Sequence, residues 1–143
     1  MTTLSSAFGF PMRVYWEDTN GRGTVHPSKM LHFYERARTE WLRSLGIAQL
    51  RLKEQTGGIF VVTQAQVDYL APAQLDDPLW VTVALHTAGR ASITLAQQAW
   101  RHDPLSSETS PQLLSEGRIR IGWVDAASMR PSRIPSRILE QLS

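Results

Sequence analysis

The residues best suited to chemistry lie between Glu17 and Glu35, where polar side chains flank the start of a predicted helix. His26 and Glu35 carry groups that could take a proton from an attacking nucleophile, which is general-base catalysis. Asn20 cannot do so, because its amide only donates and accepts hydrogen bonds. The first N–H groups of a helix lack partners and lie at the positive end of its dipole, so they can polarise a carbonyl. The segment could therefore combine a proton acceptor with an oxyanion site at the helix start.

Two elements must position these side chains, a strand before them and a helix after them. The strand is predicted over residues 8–16 and runs into a turn over residues 18–23. The helix is predicted over residues 29–45, with Ser28 as its N-cap and Gly46 as its C-cap. Its apolar residues repeat at helical spacing and share one face: Met30, Phe33, Tyr34, Ala37, Trp41 and Leu45. This stripe predicts that the helix packs against a larger apolar surface.

The rest of the chain predicts that surface as a sheet. After a short helix over residues 48–55, apolar and polar residues alternate in segments that predict half-buried antiparallel strands, over residues 59–70, 78–86, 92–100 and 117–124. A polar loop is predicted over residues 102–112, and a basic irregular tail over residues 130–135 precedes a short C-terminal helix. A curved sheet wrapped around the long helix covers both apolar faces, which is an α+β architecture. We expect a single domain over residues 1–143.

Composition argues against several classes of protein and site. Fifteen basic and thirteen acidic residues give a net charge of +2, whereas nucleic-acid binding needs a denser basic face. There is no cysteine, which excludes disulfides and thiolate zinc sites. The remaining histidines have no paired metal-ligand spacing, so we expect no metal site. No apolar run approaches the ~20 residues of a membrane span. Residues 1–7 are not typical of a signal peptide, and we expect a cytoplasmic protein.

Residues 14–42, VYWEDTNGRGTVHPSKMLHFYERARTEWL, resemble the signature of the hotdog-fold acyl-CoA thioesterases of the 4-hydroxybenzoyl-CoA and Tol-Pal-associated type. Residues 68–77 (DYLAPAQLDD) and 129–135 (MRPSRIP) extend this resemblance over nearly the whole chain. It implies a hotdog fold, hydrolysis of acyl-CoA to free acid and CoA, and a thioester bound at a dimer interface near the start of the central helix. It also implies a homodimer or homotetramer that acts on an acyl-CoA or acyl carrier protein thioester. No cofactor is expected beyond the coenzyme A of the substrate.

The resemblance implies that a loop carboxylate acts as nucleophile or base and that a backbone N–H at the helix start polarises the thioester. Asn20 stands at the position of that carboxylate. Pro27 has no N–H and stands where the donor belongs, with His26 beside it. The catalytic candidates are Asn20, His26 and Glu35, and the nearest substrate-binding candidates are Trp16, Gly23 and Pro27.

Coenzyme A also carries phosphates, which arginine binds well. Arg90 and Ser92 are predicted at a turn before a strand, and Arg130 and Arg133 lie in the basic tail. These four residues are the candidates for holding the phosphates. Their alternative role is ordinary solvent-facing polarity.

Two other functional hypotheses remain open. Asn20 and Pro27 favour a catalytically impaired module that binds acyl thioesters or acts as a scaffold, with acyl carrier protein or a cell-envelope assembly. A dehydratase-type hotdog protein needs a histidine and a helix carboxylate, which His26 and Glu35 would supply. Glu35 could instead serve structure by pairing with Arg38 or with an interface group.

Overall fold

The computed structural model describes residues 7–108 and 110–143, so the segment on which most of the signal-peptide expectation depends lies outside the described residues. Within these ranges the chain forms, in order, β1 (Phe8–Arg13), α1 (Met30–Ser44), α2 (Gln49–Thr56), β2 (Gly58–Tyr69), β3 (Pro78–Ala88), β4 (Ser92–Arg101), β5 (Gln112–Asp125) and α3 (Ser136–Leu142). Two short 3-10 turns, Trp16–Asp18 and Pro27–Lys29, lie between β1 and α1. In the described part of the chain, no helix has the length and apolar character needed to cross a membrane.

The strands form one antiparallel sheet in the order β1–β3–β4–β5–β2, so β1 and β2 are its edges. Helix α1 contacts β1, β3 and β4. Alternate side chains of the sheet contribute to the core beside it, among them Leu79, Val81, Val83, Ile93, Leu95, Ile119, Ile121 and Trp123. The predicted α+β architecture is therefore confirmed, with the long helix against one face of the sheet.

The predicted apolar stripe of α1 accounts for this packing. Met30, Phe33, Tyr34, Ala37 and Trp41 are buried, whereas Leu45 at the end of the helix is half-buried. Full burial of a large apolar side chain contributes about 1.5–3 kcal/mol. The stripe thus fixes which side of α1 faces the sheet, from Met30 in its first turn onwards.

Polar side chains are buried beneath α1 as well, in an interior cluster of Tyr34, Arg38, Gln97 and Ser115. The Tyr34 hydroxyl lies 2.7 Å from Ser115 Oγ, and Arg38 Nη1 donates to Gln97 Oε1 at 3.0 Å. Gln97 Nε2 donates to the carbonyl oxygens of Tyr34 at 3.0 Å and Thr82 at 3.3 Å. Burial raises the pKa of the Tyr34 hydroxyl and lowers the pKa of the Arg38 guanidinium. The cluster joins α1 to three strands by hydrogen bonds that replace those lost to water.

Two predicted boundaries are wrong. The first strand ends at Arg13 rather than Trp16, because Val14 leaves the β1–β3 ladder and exchanges backbone hydrogen bonds with Asp76 and Asp77 at 3.0 Å each. The last strand begins at Gln112 rather than Gly117, whereas the predicted loop over residues 102–112 loses only its last residue to that strand. Buried Ser115 in this strand breaks the apolar alternation, and its hydroxyl is satisfied by Tyr34.

Each edge strand begins beneath an indole ring. A Cβ added to Gly9 in β1 would lie 2.2 Å from the Trp80 ring, and one added to Gly58 in β2 would lie 2.1 Å from the Trp123 ring. Neither distance is compatible with a side chain. The two glycines therefore allow the rings to lie directly on the backbone at opposite edges of the sheet.

Candidate functional site

The acidic loop before α1 is held by backbone pairing and presents Asn20 to solvent. The Asn20 N–H donates to the Thr24 carbonyl at 3.0 Å, and Asn20 Oδ1 accepts the N–H of Arg22 at 2.9 Å. Gly23 has φ +83°, a conformation that favours glycine, and its carbonyl accepts the N–H of Leu75 at 2.8 Å. The loop is thus anchored to the segment before β3, and the Asn20 amide takes part in a local turn.

The helix start is organised by His26. Its Nδ1 accepts the N–H of Ser28 at 3.2 Å and lies 2.8 Å from Ser28 Oγ. Pro27 occupies the first position of the 3-10 turn, where its missing N–H costs little. The prediction that Ser28 caps the helix is wrong, because Ser28 lies inside this turn and its own N–H is capped by His26. Both side chains, and that of Pro27, are exposed.

The expectation of free N–H donors at the helix start is not met, because the donors there are absent or already bonded. Pro27 has no N–H, the Ser28 N–H is bound to the imidazole, and the Lys29 N–H donates to the His26 carbonyl at 2.9 Å. A thioester carbonyl at this place would compete with the imidazole for the Ser28 donor. His26 thus controls the availability of the nearest backbone donor.

Asp18 ties the acidic loop to the helix start. The residue is 3% exposed, and its Oδ2 accepts the N–H of Tyr15 at 2.9 Å. Its Oδ1 lies 3.5 Å from Lys29 Nζ and has no hydrogen-bond partner among the described residues. This carboxylate is enclosed and paired, whereas the side chains of His26 and Ser28 are open to solvent.

The other candidates near this junction lie apart from His26. Glu35 is exposed and follows Ser28 by seven residues, about 10 Å along the helix axis. Arg38, one of its two expected structural partners, instead donates to Gln97. Trp16 is 64% exposed in its 3-10 turn. The acidic loop and helix start therefore bring together Asn20, Gly23, His26 and Pro27 as neighbours in the chain, while Glu35 stands further along α1.

The four phosphate-binding candidates gather at the other end of the sheet. The Arg90 carbonyl accepts the N–H of Ile134 at 2.8 Å, and the Arg130 carbonyl accepts the N–H of Asp125 at 2.9 Å. The basic tail is thereby held against the turn between β3 and β4, with Arg133 next to Ile134. Ser92 begins β4, and its Oγ accepts two hydrogen bonds from Arg120 at 3.2 Å each. We call this group, Arg90, Ser92, Arg130 and Arg133, the arginine end.

The full length of β3 separates the two groups in one chain. The acidic loop and helix start, residues 18–29, are called the loop–helix junction. Its Val25 is bonded to Ala73 in the segment before Pro78, and Val14, just before the loop, is bonded to Asp77 in the same segment. The arginine end follows Ala88, where β3 finishes. Ten residue steps along a strand amount to about 33 Å. One chain therefore does not place its arginine end beside its own His26.

A large cleft lies elsewhere, on the sheet face opposite α1. It encloses about 730 Å³ and is lined by side chains that include Gln66, Asp68, Thr82, Gln98, Glu116 and Arg118. None of the candidate residues borders it. At the loop–helix junction, by contrast, the Ser28 hydroxyl and the His26 imidazole are in contact.

Two residues of the junction, Ser28 and Lys29, have roles that the sequence did not predict. Ser28 was expected only as a cap, and Lys29 only as the first helical residue, yet one contacts the imidazole and the other the buried Asp18. A histidine two residues before a serine at a helix start is the signal that could have indicated the first contact. The second depends on the side chain of Lys29 reaching back across the loop.

Known proteins resemble this chain over most of its length. The family model described as "Thioesterase superfamily" matches residues 22–108. The chain is 36% identical to the acyl-CoA thioesterase YbgC of Haemophilus influenzae, over 94% of this chain and 93% of that protein. A probable thioesterase from Bartonella henselae has a similar structure, with a TM-score of 0.81, 25% identity, and coverage of 91% of this chain and 100% of that one.

A further solved structure, a 4-hydroxybenzoyl-CoA thioesterase mutant complexed with 4-hydroxybenzoyl-CoA, has a TM-score of 0.85 at 16% identity. It covers 96% of this chain and 99% of that one. Together these similarities confirm the predicted hotdog fold. The family match spans more than half of the 143 residues, and the chain belongs to the thioesterase superfamily.

Proposed function

We propose that this protein hydrolyses acyl-CoA thioesters to a free acid and CoA. The observation that carries the proposal is an exposed His26 imidazole at the start of α1, in contact with a hydroxyl group. Near full-length similarity to an acyl-CoA thioesterase supports it. The relatives named as hydrolases favour this function over a module that only binds acyl thioesters.

In the proposed site, His26 is the proton acceptor and Asn20 an uncharged hydrogen-bonding group. An amide at position 20 can orient a water molecule or the substrate, but cannot take a proton from it. Loss of a general base typically costs about 10²–10⁴ in rate. His26 would restore part of that loss. Glu35, on α1, is the remaining carboxylate candidate, while Trp16, Gly23 and Pro27 border the space for the thioester.

We further propose that two copies share each site. The outer edge of β2 has no partner strand among the described residues, and exposed Val62, Tyr69 and Leu70 lie on or next to this strand. Pairing two β2 strands antiparallel about a two-fold axis would place the Gly58 end of one beside the Tyr69 end of the other. Gly58 pairs with Asp125 near the arginine end, and Tyr69 pairs with Ser115. The partner's arginine end would then approach the loop–helix junction.

This arrangement gives the four residues of the arginine end a role. Guanidinium groups can bind phosphate through paired hydrogen bonds, so Arg90, Arg130 and Arg133 of one copy would hold the CoA phosphates. Ser92 would add a hydroxyl group. The thioester would then extend towards His26 of the other copy.

The test is a panel of aliphatic and aromatic acyl-CoAs assayed for release of free thiol, with binding measured in parallel. Acyl carrier protein thioesters extend the panel to the second substrate class. We expect slow release of free thiol, and none after the protein has been boiled. Binding without thiol release would contradict the proposal and support the binding module.

The shared site is tested separately, by sedimentation and by mixing variants. His26→Asn and the triple change of Arg90, Arg130 and Arg133 to Ala should each lose activity. Mixed dimers should regain part of it, because one of their two sites would be intact. A stable monomer at micromolar concentration would contradict the shared site.

A further inference from the structure

We propose that Ser28 is the nucleophile of this site and His26 its base, so that hydrolysis proceeds through an acyl-serine intermediate. This proposal rests on the proposed function but goes beyond it, because it replaces direct attack by water with covalent catalysis. Its basis is the 2.8 Å contact between Ser28 Oγ and His26 Nδ1. A nucleophile in hydrogen-bond contact with a base is the geometry that such catalysis needs.

The direction of the hydrogen bond suits the transfer of a proton. The Ser28 N–H also points at Nδ1, at 3.2 Å, so Nδ1 presents its lone pair and the hydroxyl is the donor. Both side chains are exposed, and a thioester can therefore reach Ser28 Oγ without rearrangement of the fold. The third member of a catalytic triad is not supplied by Asp18, the nearest buried carboxylate in sequence, because its contacts are with Tyr15 and Lys29.

The reaction divides into two balanced steps. In the first, Ser28 Oγ attacks the thioester carbon, its proton passes to His26 Nδ1, and the C–S bond breaks. The CoA thiolate takes that proton and leaves as a thiol. In the second, water attacks the acyl-serine carbon and gives a proton to Nδ1, the C–Oγ bond breaks, and Ser28 Oγ takes the proton back. The sum is thioester plus water to acid plus thiol.

The same contact also supplies a donor for the developing oxyanion. Once Nδ1 carries the proton, it has no lone pair for the Ser28 N–H. That N–H is then released next to the carbon that Ser28 Oγ has attacked. One oxyanion donor is typically worth about 10²–10³ in rate. The missing N–H of Pro27 would thus be replaced by the N–H of the nucleophile itself.

The ordinary alternative is that His26 only caps the helix. The two roles separate in His26→Asn, because an asparagine side chain can accept the N–H two residues later and keep the cap. It cannot act as a base. Ser28→Ala removes the nucleophile, and Ser28→Cys restores one. Ser44→Ala is the matched control, since Ser44 is exposed at the far end of the same helix and donates to the Trp41 carbonyl.

The experiment measures kcat on acyl-CoA and maps covalent adducts by mass spectrometry. We expect an acyl group on Ser28 after a rapid acid quench, and a loss of kcat of about 10²–10⁴ in Ser28→Ala and His26→Asn. Ser28→Cys should recover measurable turnover and carry the acyl group as a thioester. Ser44→Ala should match wild type. Unchanged thermal unfolding in each variant shows that the helix start is intact.

A fluorophosphonate probe tests the pair without any thioester. Attack by Ser28 forms an Oγ–P bond, expels fluoride and sends the hydroxyl proton to Nδ1, so His26→Asn should not be labelled. Labelling of Ser28 without acyl-CoA turnover would contradict the proposed function and leave the nucleophile–base pair supported. Loss of activity in His26→Asn with full activity in Ser28→Ala would overturn the acyl-serine and assign His26 to water. Absence of both adducts would also overturn it.

Discussion

The loop–helix junction, just before α1, and the interior cluster, to which α1 contributes Tyr34 and Arg38, are both polar, but they differ in how their hydrogen bonds are shared. In the interior cluster, Gln97 joins Arg38, Tyr34 and Thr82, residues far apart in sequence. At the junction, His26 and Ser28 bind each other across two residues and face solvent.

This difference predicts that the interior cluster contributes mainly to stability and the junction mainly to activity. Removing a partner from the interior leaves buried polar atoms without hydrogen bonds, which is costly. Changing an exposed side chain at the junction leaves it hydrated, so stability is little affected. Variants of the interior should therefore change the free energy of unfolding, and variants of the junction should change the rate.

Gln97→Leu should have the largest effect on stability. It leaves the Arg38 guanidinium without its only side-chain acceptor among the described residues and removes a donor from two carbonyl groups. We expect a loss of about 3 kcal/mol, or about 10 °C in Tm, measured by chemical and thermal denaturation. Gln66→Leu, at an exposed position in β2, is the control. A loss below about 1 kcal/mol would show that water serves the cluster.

The double change Asn20→Asp with Pro27→His should raise kcat about tenfold or more, because it adds a general base and restores an N–H. Each single variant should gain less. Asn20 is exposed, and a carboxylate there can still accept the Arg22 N–H, so Tm should remain within about 2 °C of wild type. Lower turnover in Asn20→Asp would show that the amide serves the present site better than a carboxylate.

Tyr34→Phe should cost about 1 kcal/mol at neutral pH, through loss of the hydrogen bond to Ser115. Because burial raises the pKa of Tyr34, the unfolded chain loses this proton at about pH 10 while the folded chain keeps it. The stabilisation is complete below that pH and falls as the pH rises further. The difference in the free energy of unfolding between the variant and wild type should therefore become smaller above pH 10. Tyr15→Phe, at an exposed position, is the control, and a constant difference would contradict the assignment.

The smallest effect is expected at Asp125, the exposed last residue of β5. The backbone N–H and the hydroxyl of Ser128, with the N–H of Ala127, lower the pKa of its carboxyl group. A lowered pKa stabilises the fold above the ordinary value of about 3.9, and this contribution disappears as the pH falls. Asp125→Asn should lower Tm slightly at pH 7 and not at pH 2. An equal decrease in Tm at pH 7 and at pH 2 would show that the charge of Asp125 is not the cause.

Much of the fold could be predicted because its signals are local. The stripe on α1 and the alternation in β3 and β4 each lie within one element, and each gave the buried face. The polar members of the core could not be found in this way. Gln97 follows Ile93 and Leu95 on the apolar face of β4, and its burial depends on Arg38 from another element. The sequence around a polar residue does not show which distant residue will form its hydrogen bond.

The candidate site also has a part that could be predicted from local sequence and a part that could not. Asn20, Gly23, His26 and Pro27 are close in sequence, and their proximity could be predicted from the loop alone. The distance between this loop and the arginine end could not, because it follows from the direction of β3 and the return of the tail to Arg90. The contact of His26 with Ser28 depends on the 3-10 turn, which the sequence indicated only as a helix start.

The indoles over Gly9 and Gly58 have a consequence for how this sequence can diverge. Any substitution at either glycine requires the tryptophan above it to change as well, because an added Cβ would overlap the ring. Gly9 with Trp80, and Gly58 with Trp123, should therefore be lost or kept as pairs among descendants of this chain. A single substitution at either glycine should therefore not be tolerated, although both residues lie on edge strands, where substitutions are usually easier to accommodate.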